Sequence, residues 1–278
     1  MPQKLTAQGT SRSVRTKDWK IHYHEAGEGH PLLLLHGSGP GATGWSNFGP
    51  NLTALADRFR VIAPDMPGWG DSDPVESARR DHVDAALQLL DALGIEKAAL
   101  IGNSMGGLTA IKFAALHPDR ISHLVAMGAG APGPAVLAPG GGLSEGLKIL
   151  VRACEDPSPE AMRALVDVMT YDSAFATDEL IRQRSEAARK RPDHLVNFLS
   201  GFPRGIAAST IEEVESIRTP TLLLHGRDDR VMYPEGSLRL LSLIPDSRLV
   251  LINRCGHWLQ LEHADEFNRL VADFVTAR

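Results

Sequence analysis

One pentapeptide limits what this chain can fold into more than any other. Gly102-Asn103-Ser104-Met105-Gly106 follows an apolar run and opens a stretch of small and apolar residues at helical spacing. A serine between two glycines at a strand-to-helix junction implies a turn so sharp that the flanking positions have no room for a Cβ. The turn therefore needs a buried strand before it and a helix packed on the sheet after it. Apolar runs at 32–35, 61–64, 98–102 and 124–127 read as such strands. Between them Val83, Ala86, Leu87, Leu90 and Leu93 recur at helical spacing, and 105–116 is a helix of small residues. Alternation of this kind predicts βαβ units, an α/β fold with a mostly parallel central sheet flanked by helices.

The pattern breaks after Met127. Residues 128–142 are dense in Gly, Pro and Ala, and a charged helical stretch follows to about residue 209. Strand signals return at 221–225 and 249–252, and the chain closes on a helix with Phe267, Leu270, Val271 and Phe274 on one face. The organisation expected is a core from 1–131 and 210–278 interrupted by a helical cap at 132–209. A chain of 278 residues is long enough for one large domain carrying such an insertion.

Composition removes several classes of function. A net charge of -5, with no Lys/Arg stripe interleaved with aromatics, argues against nucleic acid as a partner. Cys154 and Cys255 cannot build a disulfide framework and are expected to be half-buried, unpaired thiols, as a reducing compartment allows. The first 15 residues are polar, without the apolar core of a secretory signal, and no apolar run approaches a membrane span. A cytoplasmic protein with no membrane partner is the expectation.

Ser104 is the candidate nucleophile, and a serine hydroxyl near neutral pH needs a base of suitable pKa to take its proton. Among eleven histidines, His257 follows the last predicted strand, where a short loop would project it over the sheet edge. His263 opens the final helix and reads as a cap or surface residue. The base in turn needs a carboxylate on its far nitrogen, and Gly226-Arg227-Asp228-Asp229 offers two directly after a strand. An oxyanion at the reacting carbonyl would be met by the backbone N–H of Met105 and by the glycine-rich loop 36–41, at Ser38 and Gly39. His36 is expected to brace that loop. No His/Cys/Asp cluster has metal-ligand spacing, and no cofactor is expected.

These residues, in the chain order Ser, Asp, His, resemble the α/β-hydrolase fold, which places its acid three residues past a glycine such as Gly226 and so favours Asp229 over Asp228. The likeness extends to one family within it. The runs His36-Gly37-Ser38-Gly39-Pro40-Gly41-Ala42 and Trp45-Ser46-Asn47 resemble the meta-cleavage product hydrolases, carbon-carbon bond hydrolases of bacterial aromatic degradation. So do Gly226-Arg227-Asp228-Asp229-Arg230, and Cys255-Gly256-His257-Trp258 with Glu262-His263-Ala264-Asp265. The resemblance implies a homo-oligomer, dimeric or larger, acting on a small anionic 2-hydroxy-6-oxohexa-2,4-dienoate. It implies that Asn47, Asn103 and Arg184 bind the dienoate end, although Arg184 by itself reads as a solvated arginine on a charged helix. Trp258, Met169 and Val231 would line the pocket. Biphenyl-type members commonly carry Gly at the position of Ser38 and Phe at those of Met169 and Val231, and have a longer segment around 202–210. The departures suggest an alkyl or otherwise non-phenyl substituent. A carboxylesterase or lactonase with the same triad is the nearest rival, and a non-catalytic ligand receptor on this fold is a more distant one.

Overall fold

The computed structural model describes residues 5–133, 142–202 and 208–277. The chain opens with α1 (Ala7–Thr10), β1 (Ser11–Arg15), β2 (Lys20–Ala26) and β3 (His30–Leu35), then α2 (Gly44–Leu55) and β4 (Phe59–Pro64). There follow α3 (His82–Ala92), β5 (Ala98–Asn103), α4 (Met105–Leu116) and β6 (Ile121–Met127). Four helices come next: α5 (Glu145–Glu155), α6 (Pro159–Met169), α7 (Asp178–Lys190) and α8 (Pro192–Gly201). The chain ends with α9 (Ile211–Glu215), β7 (Thr221–Gly226), α10 (Glu235–Leu243), β8 (Ser247–Ile252), α11 (Leu259–Glu262) and α12 (Ala264–Thr276).

The sheet order is β1-β2-β4-β3-β5-β6-β7-β8. β2 runs antiparallel to β1 and β4, and the remaining pairings are parallel. The apolar runs are continuous because helices cover both faces of the sheet, and the period of two deals alternate residues to opposite sides. Leu33, Leu35, Ala98, Leu100, Leu124, Ala126 and Leu223 join one core with α3 and α4. Leu32, Leu34, Ala99, Ile101, Val125, Met127, Leu222 and Leu224 join the other with α2 and α12. Leu32 to Leu35 are all fully buried, and each such leucine contributes about 1.5–3 kcal/mol of apolar burial.

The order also fixes where a ligand can sit. The chain leaves β3 toward β4 on one side and β5 toward β6 on the other, so a crevice opens at the carboxyl ends of β3 and β5. The loop after β3 and Ser104 after β5 both lie there.

Helices α5 to α8 pack on one another and share a third apolar cluster, which includes Leu150, Met162, Leu165, Val166, Ile181 and Phe198. Ser144, Ser158 and Thr177 cap α5, α6 and α7 with their side chains. Core residues Ala42, Trp69, Met105, Val231 and Trp258 complete the cluster. The segments expected to bound this insertion, 128–142 and 202–210, lie partly outside the described residues.

Three features differ from the sequence reading. The antiparallel β1–β2 pair was not expected. Neither was α2, whose Gly44, Gly49 and Pro50 depress helix propensity but whose start is fixed by a reciprocal Thr43/Ser46 capping box. Cys154 and Cys255 are buried rather than half-buried, and burial pushes the Cys154 thiol up to about 12.

The packing at the strand-to-helix turn makes a stability prediction. A Cβ on Gly106 would lie 2.0 Å from the Leu35 carbonyl oxygen, whereas one on Gly142 would meet nothing within 4 Å. Gly106→Ala should cost at least the ~1–3 kcal/mol of an overpacked site, and Gly142→Ala should stay within about 0.5 kcal/mol of the parent. Urea unfolding of both variants checks this, and equal stabilities would contradict the packing.

Candidate active site

Ser104 sits between β5 and α4 with φ 54° and ψ -116°, a backbone conformation that an L-residue adopts only when its surroundings enforce it. The enforcement is visible. A Cβ on Gly102 would fall 2.1 Å from the Gly106 oxygen, and the Ser104 N–H donates to the Met127 carbonyl at 2.8 Å. Being the N-cap of α4, Ser104 stands at the positive end of a twelve-residue helix, where negative charge is stabilised.

Asp229 and His257 are both buried and meet through Oδ2 and Nδ1 at 2.7 Å. Oδ1 of the same carboxylate accepts the N–H groups of Val231 at 2.7 Å and Met232 at 2.9 Å. Burial alone would raise the pKa of Asp229. The charge of His257 and hydrogen bonds from His225 and His257 outweigh it and hold the carboxyl well below the usual range. Asp228, by contrast, is partly exposed beside Arg227 at 3.1 Å. Between the two acids, geometry thus selects Asp229 as the partner of His257. Gly128, at φ 52°, passes so close that a Cβ would touch the imidazole at 3.0 Å. His257 and Ser104 are not hydrogen-bonded to each other here, as is common before a substrate draws such groups together.

The loop after β3 runs against Ser104. A Cβ on Gly37 would approach Asn103 Oδ1 to 2.9 Å and Ser104 Cβ to 3.3 Å. His36 braces this loop, with Nδ1 2.7 Å from the Gly37 oxygen and Nε2 accepting the Met66 N–H at 3.0 Å. Ser38, Ser104 and Met105 line one cavity of about 260 Å³, whose other walls include Leu108, Ile111, Leu147, Phe202 and Met232. Gly39 faces away from it, against Leu150.

The residues expected to hold a substrate fall into two groups. Arg184 is buried on the inner stripe of α7 with Ile181, Ser185 and Ala188, while Arg182 carries the ion pairs of the outer face. Its guanidinium lies 4.6 Å from the ring centre of Trp258 and donates to the Pro40 carbonyl at 3.1 Å. Its Nε has no partner, and no carboxylate among the described residues pairs with it. Burial lowers its pKa to about 10, which leaves it cationic at neutral pH.

The second group is engaged in holding the protein together. Asn103 donates from Nδ2 to the His257 carbonyl at 3.1 Å, leaving Oδ1 buried and unpartnered. Asn47 is buried in α2 and donates to the Thr43 carbonyl at 3.1 Å. The Met169 carbonyl accepts the N–H groups of His257 at 2.8 Å and Trp258 at 3.1 Å. Val231 donates to Asp229, and its carbonyl accepts from Ser144 at 2.7 Å. None of these four lines the Ser104 cavity.

Two contacts escaped the sequence reading. His225, buried on β7, brings Nε2 within 2.7 Å of the Met232 oxygen and 3.2 Å of Asp229 Oδ2, so the carboxylate has two histidine neighbours. Its spacing of four from Asp229 was the available signal. Glu262 accepts the backbone N–H of Gly256 in the His257 loop and those of Tyr171 and Asp172 after α6, and nothing in its position along the sequence marks that.

The model of the α/β hydrolase fold family matches residues 30–264. A 2-hydroxy-6-oxononadienedioate/2-hydroxy-6-oxononatrienedioate hydrolase of Cupriavidus pinatubonensis is 42% identical over 284 residues, 98% of each chain. A 2-hydroxy-6-oxo-6-phenylhexa-2,4-dienoate hydrolase of Comamonas testosteroni is 42% identical over 286 residues, 99% of each. Among solved structures, a meta-cleavage product hydrolase from Pseudomonas fluorescens IP01 superposes with a TM-score of 0.85 at 38% identity, covering 95% of this chain and 96% of that one. The chain belongs to the meta-cleavage product hydrolases of the α/β-hydrolase fold.

Within this hydrolase the depressed pKa of Asp229 has a thermodynamic consequence. A carboxyl whose folded pKa lies below its unfolded value of about 3.9 stabilises the fold above that value, and the contribution is lost as pH falls toward the folded pKa. Asp229→Asn should therefore be less stable than the parent at pH 7, with the gap narrowing below about pH 4. Urea midpoints at pH 7 and pH 3.5 check this, and a gap that widens in acid would reverse the assignment.

Proposed function

We propose that this enzyme hydrolyses the carbon-carbon bond next to the 6-oxo group of a 6-substituted 2-hydroxy-6-oxohexa-2,4-dienoate, giving 2-hydroxypenta-2,4-dienoate and a carboxylic acid. The observation that carries the reading is Arg184, a buried cation with no acidic partner among the described residues. A guanidinium in that state calls for an anionic ligand, and its planar fork suits a carboxylate. Pro40 in the loop beside Ser104 and Trp258 beside His257 connect it to the reacting groups. Asn103 Oδ1, buried and unpartnered beside Gly37, is an acceptor available to a substrate hydroxyl.

In this reading Ser104 is the nucleophile, His257 the general base and Asp229 its orienter. The dienol first ketonises, so that the carbon leaving the 6-oxo group can pass its electrons into a new dienol rather than depart as a bare carbanion. His257 takes the proton of Ser104 as the oxygen adds to the 6-oxo carbon, and the oxyanion is met by the N–H of Met105 and the loop at Ser38. Collapse breaks the carbon-carbon bond, its electrons run through the conjugated chain to the 2-oxo oxygen, which takes up the proton that His257 received from Ser104, and water assisted by His257 then releases the acid from Ser104. The relatives' names divide between a dicarboxylate and a phenyl substrate. The described lining of the Ser104 cavity has apolar side chains and small hydroxyls and no cation, which favours an uncharged substituent.

The finer setting belongs to the same proposal. The enzyme works in the cytoplasm, consistent with two buried, unpaired thiols. It assembles through the free edge of β8 and the neighbouring α10, where Leu251 on the strand and Leu238 and Leu241 on the helix are exposed. Sedimentation of the parent and of Leu251→Glu tests the assembly: a dimer or larger form that the substitution dissociates is expected, and a monomeric parent would refute it.

The reaction class is tested with a neutral aryl ester and with dienoates bearing alkyl, phenyl or carboxylated substituents. Ser104→Ala should abolish turnover of all of them by several orders of magnitude, and activity within about tenfold, or ~1.4 kcal/mol of barrier, would remove the nucleophile. Arg184→Gln should lower kcat/KM for dienoates by the ~1.5–3 kcal/mol of a hydrogen bond to a charged group while sparing the ester. Equal losses on both substrates would make Arg184 structural and favour an esterase.

A further inference from the structure

The loop that carries His257 is tied to the cap by backbone contacts. Met169 and Thr170 at the end of α6 lie so close that a Cβ on Gly256 would fall 2.7 Å from the Met169 oxygen and 2.8 Å from the Thr170 backbone. Through that contact the Met169 carbonyl receives the N–H groups of His257 and Trp258. The carbonyl of His257 is held from the opposite side by Asn103, next to the nucleophile. The peptide of the base is thus held at one end by the cap and at the other by the elbow.

Glu262, the last residue of α11, closes this junction. Its Oε2 accepts the Gly256 N–H at 2.7 Å, and its Oε1 accepts the N–H groups of Tyr171 at 2.7 Å and Asp172 at 3.3 Å. One half-buried carboxylate therefore joins the residue before His257 to the two residues that follow the Met169-Thr170 contact. Charge-assisted bonds to backbone N–H groups are roughly twice as strong as neutral ones, so this is the firmest polar tie available at the junction.

We propose that Glu262 is a positioning residue for His257, fixing the base relative to Ser104 by fastening its loop to the cap segment 169–172. The inference rests on the role given to His257 above. A base displaced by about 1 Å loses on the order of a hundredfold in rate, whereas substrate contacts made elsewhere are unaffected. Loss of Glu262 consequently acts on kcat rather than on KM. It acts on every acyl transfer that His257 assists, whatever the acyl group.

The experiment compares Glu262→Ala and Glu262→Gln with the parent, using p-nitrophenyl acetate and a 6-alkyl dienoate, with thermal unfolding and the downfield proton signal of His257 Nδ1 as further readouts. Glu262→Ala should lower kcat about tenfold to a hundredfold on both substrates, with KM within about twofold, and should shift or broaden the imidazole signal. Glu262→Gln keeps an acceptor oxygen in place and should recover part of the loss. Should the alanine variant fail to fold, the glutamine variant carries the comparison through its own kcat and proton signal. Unchanged kcat and an unmoved signal in the folded variants, with only the melting temperature lowered, would overturn the proposal. A parent that cleaves the ester but no dienoate would refute the proposed reaction and leave this test intact.

Discussion

The interaction on which the rest depends is the solvation of one buried charge. Asp229 has lost its water, and an isolated carboxylate in that position would cost several kcal/mol or pick up a proton. It remains ionised because the turn after β7 aims two N–H groups at Oδ1 while His257 and His225 approach Oδ2. Each donor imposes structure elsewhere. The turn places Val231 among the helices α5 to α8, and His257 must carry a proton on Nδ1 to donate it to Asp229. The same four contacts that stabilise the fold thereby fix the orientation of the His257 imidazole.

The strain at Ser104 is supported in a comparable way. A residue at φ 54° persists only if its neighbours leave it no alternative, and here Gly102, Gly106 and the ends of β3 and β6 do so through backbone contacts. The sheet order brings these pieces together, because the crevice between β3 and β5 receives the glycine-rich loop from one strand and Ser104 from the next. The cap adds its own constraint from above through Met169 and Trp258. Sheet, turn and cap all bear on an active site whose parts are far apart in the chain.

What could be read from the residues follows from what kind of signal each element sends. The strands β3, β5, β6 and β7 were legible because burial on both faces writes itself as unbroken apolar runs, and the elbow because close backbone approach demands glycine at fixed positions. β1 and β2 were not legible: much of β1 is exposed, and β2 carries the buried His22 and His24, whose burial depends on tertiary hydrogen bonds to Asp65 and Thr10. Arg184 reads as a surface residue because α7 is charged on most of its circumference, and only the positions of Ile181, Ser185 and Ala188 disclose an inner stripe. The Met169 carbonyl could not have been found at all, since a backbone acceptor has no residue type to announce it.

Arg184 and Asp229 together mark the division between structure and ligand. Both are buried charges, yet Asp229 has donors for both of its oxygens, whereas Arg184 has one carbonyl, one aromatic face and an unpartnered Nε. Leaving a guanidinium desolvated without an anion is unfavourable for the free protein, and burial has already drawn its pKa down to about 10. An anionic substrate would offset that penalty on binding. The cavity that Ser104 lines, about 260 Å³ with largely apolar walls, has no corresponding charge among its described residues and asks only for surface to cover. A ligand anionic at one end and apolar at the other would satisfy both. A simple neutral ester meets the second demand and leaves the first unanswered.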